Sequence, residues 1–330
     1  DQAMMSVLLV KYGVLRLLGL AEKTLVIDEL HSYDVYMSAI LHRLLAWCKA
    51  LEIPVVLLSA TLPPEKKEQM LSAYTSDPIP SCYPSVTAIT ESGNVLVRPV
   101  SHTEKRQSVE VNLFPILHEA EKIAAKAVEL GRDGGCICIL LNTVRQAREV
   151  FQAIKANGFD GELLLFHARF PAERRNQIER RCLKMFGKER SARPRKAILV
   201  ATQVVEQSLD VDFDVMMTAI APIDLLLQRL GREFRHNDTP RPPQFSAPQL
   251  AVLIPSRAGE FGADGLVYPP CLLLQSIHIL EQCRVIRVPE DLPALVARGY
   301  DPDAAPPEEL ECWLEHLMED QVQAATGGSY

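Results

Sequence analysis

The sequence predicts an α/β fold with two parallel-sheet domains in tandem. Three observations point there. Short, unbroken apolar runs recur along the chain, separated by longer segments with helical apolar spacing. That alternation marks a parallel sheet covered by helices. The chain has 330 residues, enough for two cores. Its composition is globular, with 48% hydrophobic and 23% charged residues.

The elements follow in order. Residues 1–20 carry Met4, Val7, Leu8, Val14, Leu15 and Leu18 at helical spacing. Thr24-Leu25-Val26-Ile27 is a short apolar run, so a buried strand is expected. Residues 37–51 read as a helix, and Val55-Val56-Leu57-Leu58 as a second buried strand. Residues 76–108 are rich in Pro, Ser and Thr, which predicts a linker with one edge strand. Beyond it, helices are expected at 114–130, 144–157, 171–187 and 223–231. Strands are expected at 136–141, 162–166, 197–201, 215–220 and 250–254. No internal repeat interrupts this rhythm.

Composition excludes several classes. No stretch of about 18 uncharged apolar residues occurs, so no spanning helix is predicted. The opening segment has no basic, signal-like start. The spacing of the 8 Cys matches neither a disulfide framework nor a zinc site. A cytoplasmic setting is expected. The net charge of -7 argues against a wholesale nucleic-acid coat. The charge is unevenly placed, however. Residues 167–196 hold eleven Lys and Arg against Glu173, Glu179 and Glu189. Such a stripe suits a phosphate backbone, though it also fits a solvated helix face. Residues 289–320 reverse the bias, with ten acids against Arg298, and predict a solvated tail.

Two places carry candidate chemistry. Asp28 and Glu29 end the first apolar run, followed by Leu30 and His31. Strand ends in parallel sheets face the ligand crevice. A carboxylate there can hold Mg²⁺ with its waters, and its neighbour can orient or deprotonate a hydrolytic water. Ser59 and Thr61 end the second run, where they can bond the acidic pair or simply turn the chain. The second place is Gln228-Arg229-Leu230-Gly231-Arg232-Glu233-Phe234-Arg235-His236. Arg232 and Arg235, three apart, are expected on one helical face, where guanidinium forks can grip phosphate. Between the two, the strand at 197–201 ends in a polar loop with Thr202, Glu206, Gln207 and Asp210.

In order, these strings are Asp28-Glu29-Leu30-His31, Ser59-Ala60-Thr61, Asn142-Thr143, Ala201-Thr202-Gln203 with Gln207-Ser208-Leu209-Asp210, and Gln228 to Arg235. The set resembles motifs II to VI of superfamily 2 DExH helicases. Finer strings are similar to the CRISPR-associated helicase-nuclease of type I interference systems. They are Asp28 to Asp34, Phe166-His167-Ala168-Arg169-Phe170, Gln203 to Asp210, His236 and Tyr268-Pro269-Pro270.

The resemblance implies tandem RecA-like domains, the first truncated, followed by a helical or irregular acidic tail. Residues 1–100 would be the second half of domain 1 plus a linker, 101–256 would be domain 2, and 257–330 an accessory acidic segment. It implies an ATP-driven motor on single-stranded DNA, recruited by a guide-RNA surveillance complex. Asp28 would hold Mg²⁺ through water and Glu29 would activate the attacking water. His31, Ser59 and Thr61 would couple hydrolysis to movement, with Ser59 and Thr61 near the nucleotide. Gln228, Arg232 and Arg235 would meet the γ-phosphate, and Asp210 the ribose. Asn142, Thr143, Arg169, Thr202 and Gln207 would meet DNA.

The sequence departs from that family in two ways. Nothing in it fits G-x-x-x-x-G-K-[ST], the phosphate-cradling loop, and no His-Asp pair of a nuclease domain occurs. Three expectations follow. The chain is part of a longer helicase that supplies the missing motifs, or one half of a split enzyme, or a binding module that uses the basic stripe without catalysis. An RNA-acting relative within the same superfamily is a further alternative. In the first two cases the 330 residues alone are expected to lack ATPase activity, and the short first sheet to expose an unpaired edge.

Overall fold

The computed structural model describes residues 2–8, 11–30, 35–59, 62–80, 82–100, 107–206, 209–236, 238–305, 312–316 and 318. His31, Thr61 and Gln207 lie outside them. The fold is α/β, with two compact units, Asp1–Lys105 with Tyr300–Tyr330 and Arg106–Gly299. No helix among the described residues is long and apolar enough to cross a membrane.

The first unit is small. Its expected opening helix is two short ones, α1 (Gln2–Met5) and α2 (Gly13–Leu18). Strands β1 (Leu25–Ile27) and β2 (Val55–Leu57) pair in parallel. Between them runs α3 (Val35–Ala50), followed after β2 by α4 (Pro64–Leu71). Leu41, Leu44, Leu45 and Cys48 of α3 form the centre of this unit's core, with Ile27, Ile53 and Met70. Val26, Val56 and Leu58 are 56%, 42% and 46% exposed. The two strands are therefore not buried as their apolar runs predicted. One face carries the core and the other is uncovered by the described residues, because period-two alternation sends neighbouring residues to opposite faces. The predicted linker with one edge strand is an antiparallel pair, β3 (Ser85–Ile89) and β4 (Val95–Pro99).

The second unit is built on a seven-stranded sheet. Its strands are β5 (Gln107–Phe114), β6 (Gly135–Leu140), β7 (Glu162–Phe166), β8 (Lys196–Ala201), β9 (Val215–Ala219), β10 (Gln249–Leu253) and β11 (Val285–Val288). Their order is β11-β5-β10-β9-β6-β8-β7, and all pairs are parallel except β11 with β5. This is the RecA-like arrangement expected. The helices are α5 (Ala120–Leu130), α6 (Val144–Ala156), α7 (Ala172–Phe186), α8 (Ile223–Leu230), α9 (Pro270–Gln282) and α10 (Leu292–Gly299).

Right-handed crossovers place α5 and α6 on one face and α7 and α8 on the other, because the chain steps across the sheet in opposite directions. Cys136, Cys138, Leu140, Leu199 and Phe166 pack with Ile178, Cys182, Met185 and Phe186 of α7. Ile137, Ile139, Ile198 and Val200 point the opposite way by alternation and are equally buried. Hence these strands read as continuous apolar runs.

Two sequence expectations are corrected here. The helix predicted at 114–130 starts at Ala120, because Gln107–Phe114 is an inner strand between β10 and β11. The segment 289–320, predicted as a solvated tail, contributes α10, with Leu295 and Val296 buried. At Gly299, a Cβ would sit 2.2 Å from Cγ2 of Ile223, so only glycine lets α10 close on α8 there.

Candidate active site

In the first unit, the backbone ladder continues past the strand ends. Leu58 N–H donates to the Ile27 carbonyl at 2.8 Å, and Leu30 N–H to the Leu58 carbonyl at 3.1 Å. Asp28 and Glu29 lie exposed at this carboxyl end. Glu29 has φ 54°, and its N–H donates to Asp28 Oδ1 at 2.9 Å. A left-handed backbone at a non-glycine residue costs on the order of 1–2 kcal/mol. Strain of this kind concentrates at functional turns. Ser59 follows Leu58 and is exposed.

In the second unit, the segments after β6, β8 and β10 and the end of β9 converge on one buried guanidinium. The Arg229 side chain is 0% exposed. Its Nε donates to Glu206 Oε1 at 2.6 Å. One terminal nitrogen donates to Thr218 Oγ1 and the Ala219 carbonyl, at 2.7 and 2.9 Å. The other donates to Tyr268 Oη at 3.2 Å and Asn142 Oδ1 at 3.4 Å. Burial pulls Arg229 toward deprotonation, but the Glu206 carboxylate and Tyr268 outweigh it and hold the group above its ordinary value. Burial also raises the Tyr268 hydroxyl, against the pull of Arg229. Removing one partner of a buried pair like this strands the other charge, at a cost of about 3–5 kcal/mol.

Asn142 completes the network. Its Nδ2 donates to the Ile220 carbonyl and to Asp264 Oδ1, both at 2.8 Å, and its carbonyl accepts from Gln203 at 3.2 Å. Burial raises the Asp264 carboxyl, partly offset by the Asn142 hydrogen bond. The Asn142 side chain, expected to touch a nucleic-acid backbone, is thus buried and bonded within the protein. The Thr143 hydroxyl accepts the Gln146 N–H at 3.3 Å and caps α6. Thr202 is 4% exposed at the carboxyl end of β8, whereas Arg169 is exposed after β7. Beside it His167 is buried, stacked on Phe170 with ring centroids 4.1 Å apart. Burial and then Arg148 and Arg169 lower its pKa.

The phosphate-gripping arginines sit differently from the expectation. Arg232 and Arg235 do not share a helical face, because α8 ends at Leu230 and Gly231 caps it. What ends the helix there is Glu233, which turns inward. Its two oxygens accept the Met216 N–H at 2.6 Å and the Gln249 N–H at 3.1 Å, binding the turn to β9 and β10. Burial pushes this carboxyl up to about 8, against those two amides. Arg232 donates to the Glu206 carbonyl at 2.6 Å. Arg235 donates through Nε to Asp210 Oδ1 at 2.6 Å, and His236 Nε2 lies 3.1 Å from the same oxygen. Burial raises Asp210, but His236 and Arg235 overcome it and hold the carboxyl below its usual range. Gln228 is half-buried, and its Nε2 is a buried donor with no acceptor among the described residues.

Sequence reading missed Arg229, Glu206, Asp264 and Tyr268 as a single buried cluster. Each is one polar residue in a segment otherwise counted as core or loop. Nothing in local spacing links positions 142, 206, 229 and 268. No group of three or more His, Cys, Asp or Glu among the described residues could hold a metal by itself.

The chain resembles known proteins along nearly its whole length. A family model described as CRISPR-associated nuclease/helicase Cas3, C-terminal, matches residues 133–238. The CRISPR-associated endonuclease/helicase Cas3 of Thermus thermophilus is 35% identical over 348 residues, covering 91% of this chain and 37% of that protein. The crystal structure of T. fusca Cas3-AMPPNP superposes with a TM-score of 0.90 at 36% identity, over 99% of this chain and 41% of that one. A chain of a CRISPR RNA-guided surveillance complex, pre-nicking, gives 0.86 at 35% identity, over 99% of this chain and 43% of that one. This chain spans about two-fifths of the length of these relatives.

Proposed function

The chain belongs to the CRISPR-associated nuclease/helicase Cas3 family, and from that premise we propose that it is motor machinery of an ATP-dependent single-stranded DNA translocase. It serves CRISPR type I interference in the cytoplasm, where a guide-RNA surveillance complex exposes the strand and a nuclease domain beyond these motifs degrades it. Residues 1–100 carry motifs II and III, residues 101–256 carry motifs IV to VI, and residues 257–330 are accessory.

One observation carries this reading: Gln228 keeps a buried amide donor without an acceptor among the described residues, in the motif that the resemblance sets against the γ-phosphate. A buried donor left unpaired costs about 1–3 kcal/mol, which a phosphate oxygen would recover. Arg232 and Arg235 follow it in sequence and supply fixed positive charge. Asp210 serves the ribose. Arg169 and Thr202, with Gln207, meet the DNA backbone. Asn142 and Thr143 are positioning residues, since the structure engages both side chains internally.

Asp28 fits Mg²⁺, which needs only one or two carboxylates beside phosphates and water. Its Oδ1 accepts the Glu29 N–H, and the group is exposed at a parallel strand end. Bound there with ATP, the ion would neutralise phosphate charge. Glu29 orients and deprotonates the attacking water. Ser59, with His31 and Thr61, passes nucleotide state to the strand-binding surfaces.

The test is DNA-stimulated phosphate release. Residues 1–330 contain no phosphate-cradling loop sequence, so alone they should bind single-stranded DNA without hydrolysing ATP. Strong DNA-stimulated hydrolysis by purified 1–330 would overturn that part of the reading. Equal affinity for matched single-stranded RNA would favour the RNA-acting alternative.

A further inference from the structure

The basic residues of 167–196 lead to a cavity on the opposite edge of the sheet from the candidate active site. Gly135 and Lys196 open β6 and β8, and Asp214 precedes β9, so this is the amino-terminal edge. A cavity of about 290 Å³ lies there, lined by Arg190, Arg193, Arg195, Arg241, Asp214 and Gly135, with prolines beside them. Four guanidiniums thus line it, and Asp212, Asp214 and Asp238 pair with three of them.

Two of the four are fixed from behind. Arg193 donates to the Asp212 carbonyl at 2.7 Å and Asp214 Oδ1 at 3.0 Å. Arg241 donates to Asp214 Oδ1 at 2.6 Å and to both oxygens of Asp212, at 2.7 and 2.9 Å. Their side chains are only 9% and 8% exposed. Asp214 Oδ2 in turn accepts the Cys136 N–H at 2.7 Å, tying the cluster to the sheet. Gly135, at φ 112°, leaves room for the Phe245 ring behind it, which a Cβ would meet at 2.5 Å. The other two arginines are exposed, and only Arg190 is neutralised, by Asp238. Arg195 pairs with no carboxylate among the described residues.

The approach to the cavity is also basic. The connection from β7 to β8 runs α7 from the carboxyl edge to the amino edge of the sheet. Arg174, Arg181 and Lys184, spaced by seven and three, share an exposed face of α7 with Gln177, and Arg181 pairs with Glu162 at 2.6 Å. Lys188 and Arg190 follow the helix end in sequence and are also exposed. A nucleic-acid backbone carries a negative charge at each nucleotide and binds a preorganised guanidinium fork bidentately.

We propose that this arginine-lined cavity, fed by the α7 face, is a second docking site for a nucleic-acid backbone, one that takes phosphodiester groups away from the motor's nucleotide edge. The site rests on the nucleic-acid part of the function proposed above and not on ATP turnover. It predicts that a strand engaged at the carboxyl edge has a further electrostatic hold on the outer face of this unit.

The test uses residues 1–330 with a fluorescent, mixed-sequence single-stranded DNA, titrated over a range of salt. Lys188→Glu with Arg195→Glu should weaken binding roughly tenfold or more and flatten the log–log salt dependence by about 0.7 for each phosphate no longer neutralised. Both residues are exposed, so thermal unfolding should not move. Lys188→Arg with Arg195→Lys should keep wild-type affinity. Unchanged binding and salt slope in the charge-reversed protein, while Arg169→Ala weakens binding, overturns the second site alone. No DNA binding by the wild type overturns both this site and the motor reading. Inorganic phosphate that competes in an Arg195-dependent way, with DNA affinity untouched by charge reversal, makes the cavity a small-anion pocket and overturns the proposal.

Discussion

The two parallel sheets start from the same kind of sequence and end in different surroundings. β1 and β8 are both short apolar runs that finish at polar, candidate site residues. Yet Val26 of β1 is 56% exposed, while Ala197 to Ala201 of β8 are all 0% exposed. In the second unit, crossovers on both faces cover the strands. In the first, α3 covers one face and, among the described residues, β1 pairs with β2 alone. An apolar run therefore predicts a strand but not how many of its faces are covered. The two acidic residues at the end of β1 stand on the more open framework, and the arginine motif stands on the closed one.

The sharpest way to break that contrast is at its most buried polar point. Arg229→Leu should destabilise the second unit by about 3–5 kcal/mol, since it strands Glu206. Thermal or urea unfolding reads this directly. A loss under about 1 kcal/mol would mean the network is not holding the motif loops.

Strand substitutions test the difference between the sheets. Val200→Thr, on a fully buried strand, should cost about 1–3 kcal/mol for an unpaired hydroxyl. Val26→Thr, on the bare face, should stay within about 0.5 kcal/mol. Equal losses would show that the first sheet is covered in solution. Thr143→Ala, which removes one helix cap, should fall between these two, at about 1 kcal/mol.

Glu233 gives the comparison a pH dependence. Its folded-state value of about 8 lies above the ordinary 4.5, so between those values the folded chain holds a proton the unfolded chain has lost. Stability from this group is full below about pH 4.5 and is lost as pH rises toward 8. Unfolding measured from pH 5 to 8 should show that decline, and Glu233→Gln should flatten it. An unchanged slope in the variant would assign the dependence to another group.

Much of this was legible in the sequence, for reasons that particular residues make plain. Glu162–Phe166 fell on the expected strand because an apolar run there is bounded by Gly161 and a polar turn. The motif strings marked the loops because polar residues at strand ends stand out against buried neighbours. Gln107–Phe114 was missed although Val109, Val111 and Leu113 alternate, since the Pro- and Ser-rich stretch before it drew the linker too far. The helical face expected for Arg232 and Arg235 was lost to Glu233. A carboxylate recruited by two backbone amides from distant strands leaves no local trace. The Arg229 cluster was unreadable for the same reason: its partners meet only once the sheet has formed.

The placement of β5 bears on how the chain is made. Gln107–Phe114 is translated before every other strand of its sheet, yet its neighbours are β10 and β11, the last two. At roughly 5–20 residues per second, the nascent chain waits on the order of ten seconds before either partner leaves the ribosome. Through that interval an alternating, half-apolar strand has both edges open. The second unit can therefore close only once β10 and β11 have emerged.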